Sequence, residues 1–372
     1  MIIGIPKEIK EDEYRVGIVP AGVRDLVSNG HRALIEKNAG IGSGITDAEF
    51  KKEGAEILDS HEDIYSEAEM IIKVKEPLPS EYEFLKKGQI LYAYLHLAPA
   101  YDLTKALLKQ EVIGIAYETV ELENRSLPLL IPMSEVAGRM SIHEGAKYLE
   151  REKGGRGILL GGVPGVKPGT VVILGGGIVG SNAARMAVGT GARVTLLDID
   201  LDKLRYLDDI FAGSITTLSS NSHNIIESIE RADLVIGAVL ITGAKAPKLL
   251  TRKILQHMQK GSVIIDVCID QGGSLETSRP TTHSNPTFVE EGVIHYCVAN
   301  MPGAVARTST FALTNATFPY ALEIANAGFK KAVQRNKALK KGVNIYLGEV
   351  TYSSVSKSLG LPYTPLEKIL ET

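Results

Sequence analysis

Residues 171–200 read VVILGGGIVGSNAARMAVGTGARVTLLDID, and their order decides the fold class. An aliphatic run from Val171 to Leu174 gives way to a glycine turn, then to small and apolar residues at helical spacing, then to a second aliphatic run ending in Asp198. Strand, turn, helix and strand in that order make a βαβ unit with its two strands parallel. Within the turn, Gly175, Gly177 and Gly180 have the G-x-G-x-x-G spacing, and each glycine has its own task. Gly175 allows the tight turn, Gly177 lets a pyrophosphate approach the backbone at the helix N-terminus, and Gly180 lets helix and strand pack closely. Asp198, about 20 residues further on, can accept hydrogen bonds from the adenosine ribose hydroxyls and would repel a 2′-phosphate, which predicts NAD rather than NADP. Asp200 competes for the same task.

Outward from this unit the alternation continues. ARVTLLDID, ADLVIGAV, SVIIDVCID and VIHYCVANMPG are further apolar strands, with helical segments in most gaps. Upstream, IIGIPKEI, RALIEKNAG, MIIKVKEP, ILYAYLHL and VIGIAYETV predict strands, and AGVRDLVSNG and DAEFKKEGAEIL predict helices, so the first part is α/β as well. SEVAGRMSIHEGAKYLEREKGG predicts a helix with Ser134 as N-cap and Gly154 as its stop; the glycine-dense GGRGILLGGVPGVKPG after it predicts a hairpin or irregular loop. Beyond Gly303 the pattern is helical almost to the end, with an interruption expected at Pro319 and a stop at Gly342.

Composition narrows the function. A length of 372 residues suggests roughly two or three domains and hence an interdomain cleft. With 41 basic against 44 acidic residues and no long run of like charge, neither a nucleic-acid footprint nor a polybasic membrane anchor is indicated, and small-molecule partners are expected. No apolar run reaches transmembrane length, and MIIGIPKEIKEDEYR is not a signal peptide, which predicts a cytoplasmic protein. Cys268 and Cys297 lie in apolar strands, as buried thiols do. His31, His61, His143, His223, His257, His283 and His295 lack partners at metal spacing, so no metal site is predicted.

A hydride carrier needs a substrate anchor and a proton handler. In LYAYLHLAP, residues 91–99, extended backbone puts Leu91, Ala93, Leu95 and Leu97 on one face and Tyr92, Tyr94 and His96 on the other, so the polar-tipped rings are expected to face a ligand. His96 can exchange a proton near neutral pH; a satisfied structural histidine is the competing reading. Arg15, after the first strand, can hold a carboxylate bidentately, against a solvated surface arginine. Lys75 shares a face with Lys73, so one lysine is expected to face the cleft and the other solvent. Asp270 ends an apolar strand where the nicotinamide is expected, against a loop-capping aspartate.

The blocks IGIPKEIKEDEYRVGIVP, KVKEP, LYAYLHLA, PMSEVAGRMS, GGVPGVKPGTVVILGGGIVG, DVCIDQGG and VANMPGAVARTST together resemble the alanine dehydrogenase and NAD(P) transhydrogenase alpha-subunit family, through nearly the whole chain. The resemblance implies an α/β fold of two Rossmann-like domains, with an NAD-binding domain (129–303) inserted into a split substrate domain (1–128 and 304–372). It implies that Arg15 and Lys75 hold substrate, that His96 and Asp270 are the catalytic acid and base, and that NAD is contacted by Ser134, Ile178, Val179, Asp198, Lys203, Ser220, Val239, Leu240, Val267, Cys268, Ile269, Asp270, Arg279, Val298, Ala299, Asn300 and Met301. The implied reaction is reversible oxidative deamination of L-alanine to pyruvate and ammonia, and the implied assembly is a homohexamer. A transhydrogenase-like NAD(H)-binding module, an idle NAD sensor and a sister enzyme for another amino acid are the alternatives. Retention of His96 and the lack of a membrane span favour the dehydrogenase.

Overall fold

Aliphatic runs too short for helices become strands throughout the computed structural model, which describes residues 1–239 and 247–370. The chain divides into one unit of Met1–Met133 with Gly303–Thr372 and a second of Ser134–Pro302. The sequence-based divisions fall after 128 and 303. The first unit begins with β1 (Ile2–Ile5), β2 (Arg32–Glu36), β3 (Glu56–Leu58), β4 (Met70–Ile72), β5 (Ile90–Ala93) and β6 (Ile113–Ala116). The second unit holds β7 (Thr170–Leu174), β8 (Arg193–Asp198), β9 (Thr216–Ser219), β10 (Leu234–Gly237), β11 (Val263–Asp266), β12 (Thr287–Glu290) and β13 (Val293–Tyr296). The returning chain adds β14 (Val343–Tyr346) and β15 (Glu349–Val350) to the first sheet.

Both sheets are doubly wound. The first has the order β15-β14-β6-β5-β4-β1-β2-β3, parallel from β6 to β3, with β14 and β15 antiparallel at one edge. The second has the order β12-β13-β11-β10-β7-β8-β9, parallel from β13 to β9, with antiparallel β12 at its edge. In each, the strand order reverses beside the first strand: at β1/β4 in one unit and at β7/β10 in the other. Ligands of open parallel sheets bind beyond the carboxyl ends of strands at such a reversal. Each unit has its own aliphatic core, one around Ile71, Leu91, Leu95 and Leu107 and the other around Val172, Leu197, Val235 and Ile264.

Several sequence-based elements are corrected. DAEFKKEGAEIL is a short helix, Asp47–Lys52, started by a Thr46–Glu49 capping box; Gly54 at φ +97° turns the chain into β3. Strands β9, β12, β14 and β15 have no aliphatic run to announce them. The 131–148 helix starts at Ile131, four residues before the start that an N-cap at Ser134 implies, so Ser134 belongs to its first turn and is not the N-cap. Helix Ala306–Ala327 runs through Pro319 unbroken. Its Ser309, Thr310, Leu313, Thr314 and Thr317 are buried, and Tyr92 donates its hydroxyl to the Thr317 carbonyl at 3.0 Å. Packing therefore overrides the roughly 3 kcal/mol cost of an interior proline.

Candidate active site

At the β7 end, the three glycines differ in what surrounds them. Gly175 has φ +104°, and a Cβ there would approach the Ala238 carbonyl oxygen to 2.6 Å. A Cβ on Gly180 would meet the Gly175 carbonyl oxygen at 1.8 Å, so the helix packs against the turn as only glycine permits. A Cβ on Gly177 would meet nothing within 4 Å. Gly177 is the N-cap of helix Ile178–Gly189 and supplies no side-chain cap, which leaves the first amides of the helix without a capping side chain. That is a cradle for an anion. Gly138 of helix Ile131–Tyr148 would bring a Cβ within 2.3 Å of the Val179 carbonyl oxygen, and Ser134 lies one turn earlier on the same face.

Asp198 ends β8. Its carboxylate accepts from the amides of Gly176 (2.6 Å) and Asp200 (2.9 Å) and from Lys203 Nζ (3.2 Å). Burial raises its pKa, but these donors outweigh burial and hold it below the ordinary carboxylate range. Asp200, the competing acid, caps helix Leu201–Phe211 through the amides of Asp202 and Lys203. Ser220 donates its amide to the Asp198 carbonyl at 2.9 Å, and half-buried Val239 follows β10. Leu240 lies outside the described residues.

Beyond β11 the chain folds back on Asp266, which the sequence reading missed. Asp266 is buried and accepts from the Cys268 and Ser274 amides, the Ser274 hydroxyl (3.0 Å) and the Ser278 hydroxyl. Val267 donates its amide to the Gly237 carbonyl at 3.0 Å, and the Cys268 thiol donates to that oxygen at 3.3 Å. Burial pushes this thiol up, and that of Cys297 to about 12, so both stay protonated. On the short turn Ile269–Gln271, Asp270 is exposed. Arg279 lies over the Phe288 ring at 4.2 Å. Ala299 donates its amide to Thr281, between buried Val298 and Met301, and Asn300 takes a left-handed φ of +64°.

At the β1/β4 reversal the first unit gathers Arg15, Lys75 and, from the neighbouring strand β5, His96. Arg15 is 2% exposed rather than solvated. Its guanidinium binds Glu13 bidentately, Nε to Oε1 at 2.6 Å and Nη2 to Oε2 at 2.5 Å, and Nη1 lies 3.0 Å from Met133 Sδ. Burial resists the charge on Glu13, but Arg15 outweighs it and keeps the carboxyl ionised well into acid. Lys75 is half-buried, and burial together with the Arg15 charge lowers its pKa. Lys73 does not reach solvent. At 1% exposure, its Nζ lies 3.2 Å from Glu8 and 2.9 Å from Glu81, and Glu81 in turn pairs with His61. Glu8, another residue missed in sequence, accepts from the amides of Val74 (2.6 Å) and Lys75 (3.3 Å) and so fixes the chain that carries Lys75.

The tyrosine face is corrected too. Strand β5 stops at Ala93, and Tyr92 and Tyr94 are buried; the Tyr94 hydroxyl donates to the Leu129 carbonyl at 2.5 Å. They pack edge-on against Tyr117 at 4.4 and 5.1 Å between centroids, so alternation along the strand does not leave them exposed. His96 lies past the strand, with φ +46°, 48% exposed, its ring stacked on Tyr94 at 5.8 Å and 7°. Arg15 acts electrostatically on both Lys75 and Tyr94, so the three sequence-predicted residues are drawn to one end of this sheet. A cationic pair beside an imidazole can hold a carboxylate and move a proton.

Among the described residues no three His, Cys, Asp or Glu side chains cluster as a metal requires, and no helix is long and apolar enough to cross a membrane. The nucleotide cradle and the cationic, imidazole-bearing strand ends define a two-unit α/β protein with the groups of a dinucleotide-dependent oxidoreductase. Family models for the N-terminal and C-terminal domains of alanine dehydrogenase/PNT match residues 4–137 and 141–353. The chain is 63% identical to the alanine dehydrogenase of Methanococcus maripaludis over 371 residues, covering 100% of both chains. It is 56% identical to that of Bacillus subtilis, covering 100% of this chain and 98% of the relative. A solved L-alanine dehydrogenase superposes with a TM-score of 0.95 at 51% identity, covering 97% of this chain and 99% of the other. The chain belongs to the alanine dehydrogenase/PNT family.

Proposed function

We propose that this protein is an NAD-dependent L-alanine dehydrogenase, catalysing L-alanine + H2O + NAD+ = pyruvate + NH4+ + NADH + H+. The observation that carries the reading is the placement of Arg15 and Lys75 with His96 at the β1/β4 reversal, in a chain whose other unit ends β7 in an open glycine cradle and β8 in Asp198. Glycines 175, 177 and 180 with the amides of Ile178 and Val179 would hold the pyrophosphate, and Asp198 the adenosine ribose. Lys203, Ser220, Val239, Arg279 and residues 298–301 would complete the contacts. Bound NAD supplies the hydride acceptor.

Arg15 and Lys75 bind the substrate carboxylate and fix the Cα–H direction. Loss of that hydrogen as hydride leaves an iminium ion, whose positive charge Asp270 stabilises. Water adds to the iminium carbon while His96 or Asp270 takes its proton; collapse of the carbinolamine expels ammonia and forms the keto group. With its pKa lowered, Lys75 can also exchange a proton with the carbonyl oxygen. Cytoplasmic location and a homohexamer complete the proposal, the latter tested by sedimentation of the purified protein.

Absorbance at the NADH band on mixing the protein with NAD and L-alanine tests the reading. Growth of the band with release of stoichiometric ammonia supports it; NAD binding without turnover means a binding module. An amino-acid panel that prefers another substrate reassigns the enzyme.

A further inference from the structure

Two acidic side chains serve no obvious chemistry yet grip the loops that carry the proposed substrate groups. Glu8, just past β1, accepts the amides of Val74 and Lys75, just past the adjacent strand β4. Glu118, just past β6, accepts the amides of Leu95 (3.3 Å) and His96 (2.6 Å), just past the adjacent strand β5. The same device occurs twice: a carboxylate from one strand end takes two successive amides beyond its neighbour.

At His96 the device has more to do. A non-glycine residue in the left-handed region carries backbone strain and holds that geometry only when its surroundings impose it. Here the surroundings are few. The His96 side chain is 48% exposed, with the Tyr94 ring on one side and Glu118 Oε1 3.9 Å from its Nδ1. Tyr94 is anchored by its hydroxyl to Leu129, so the ring is a fixed platform; the loop reversal itself is held by Glu118. A charge-assisted bond to a backbone amide is among the stronger hydrogen bonds available to hold it.

From this geometry we infer that Glu118 is a positioning residue for His96, holding the 95–96 turn so that the imidazole is presented to substrate in one orientation. The inference rests on the reading of His96 as an acid–base group. Glu118 touches no reacting atom; its contribution is preorganisation, and loss of about 1 Å in placement costs on the order of 100-fold in rate.

The test is a kinetic cycle on the full-length enzyme. Glu118→Ala removes both acceptors and should lower kcat by roughly 10- to 100-fold. Glu118→Gln keeps one carbonyl oxygen for the His96 amide but cannot accept from both as a carboxylate does, so its loss should be smaller, roughly 5-fold. In both variants the KM for alanine and NADH affinity by cofactor fluorescence should stay near the parent values, and in Glu118→Gln so should Tm. In a His96→Ala background, each Glu118 substitution should change kcat by less than about 2-fold, because the group being positioned is gone. Unchanged kcat in Glu118→Gln overturns the proposal, as does a Glu118 effect that persists in full without His96. If His96→Ala alone retains parental turnover, the acid–base reading fails first, and that arm identifies the failure as its own. Should Glu118→Ala not fold, the glutamine variant and its double mutant decide alone.

Discussion

The reversal points of the two sheets place their proposed ligand groups by opposite means. At β7/β10 the groups are backbone: a turn of three glycines, an uncapped helix start, and one carboxylate, Asp198, tied to the amides of the same turn. At β1/β4 they are side chains, each on its own loop and each steadied by an acid: Arg15 by Glu13 two residues before it, Lys75 by Glu8 and His96 by Glu118 from neighbouring strand ends. Backbone groups need only local conformation, which glycine spacing dictates. Side chains at the ends of different strands depend on partners that are neighbours only after folding. The first arrangement tolerates little change in its glycines; the second should tolerate changes that leave the buried acids paired.

The sharpest break of the comparison is His96→Ala. A general acid–base group typically contributes 10²–10⁴ to rate, so kcat should fall by about that factor while NADH affinity, a property of the other unit, stays near normal. Steady-state kinetics with a cofactor fluorescence titration reads both, and near-normal turnover removes His96 from the mechanism. On the backbone side, Gly180→Ala places a methyl group 1.8 Å from the Gly175 carbonyl oxygen. Helix and turn must move apart, at a cost of about 3 kcal/mol in stability, with loss of NADH binding. A variant with parental Tm and cofactor affinity would show that the turn is not held by close packing.

The same contrast explains what the sequence makes legible. The parallel strands β1, β2, β4, β5, β6, β7, β8, β10, β11 and β13 announce themselves as aliphatic runs because they are covered on both faces. Strand β14, VNIY, does not: its Asn344 is 1% exposed and donates to Thr119 Oγ1 (2.6 Å) and the Gly342 carbonyl (2.9 Å), the first of these far away in the chain. The glycine cradle and Asp198 follow from spacing alone, and Asp200 is resolved as a helix cap only by its geometry. Arg15, Lys75 and His96 are visible as residue types, but their setting is not. Alternation along 91–97 points Tyr92 and Tyr94 toward a ligand, whereas β5 ends at Ala93 and both rings are buried. Glu8, Glu81 and Glu118 read in sequence as ordinary surface acids, since nothing local reveals that each meets a partner distant in the chain.

That hidden acid network makes a pH prediction for the first unit. His61 bridges Glu36 (2.5 Å) and Glu81 (2.9 Å), and Glu81 also meets buried Lys73, which pairs with Glu8. Burial disfavours the His61 cation, but Glu36 and Glu81 outweigh it and raise the pKa from 6.5 to about 9. A raised folded-state pKa contributes stability that is complete below about 6.5 and lost as pH climbs through about 9. Between pH 7 and 10 the protein should therefore lose about 2 kcal/mol more in denaturant unfolding than His61→Gln does, allowing for partial exposure of the ring. Glu81, lowered to about 2 by His61 and Lys73 against the effect of burial, reports the same contacts from the acid side: its contribution is present above about 4.5 and disappears as pH falls toward 2. Equal alkaline losses in parent and variant would mean that the bridge contributes nothing to stability.

The smallest effect is expected at Asp198, where side-chain and backbone strategies meet. Its carboxylate serves the glycine turn through Gly176 and would also meet the ribose hydroxyls, so Asp198→Ala removes two ligand hydrogen bonds and loosens the turn. Water can replace the acceptor of the part-buried Asp200 amide but not readily that of the buried Gly176 amide, and the expected loss in NAD affinity is roughly 10-fold, about 1.4 kcal/mol. Lys203 Nζ, now 3.2 Å from the carboxylate, would lose its partner and become available to a 2′-phosphate. Discrimination should therefore relax from both sides, with kcat/KM for NAD falling and that for NADP rising. A ratio of the two that stays at its parental value would show that the adenosine ribose is held elsewhere and that Asp198 serves only to close the turn.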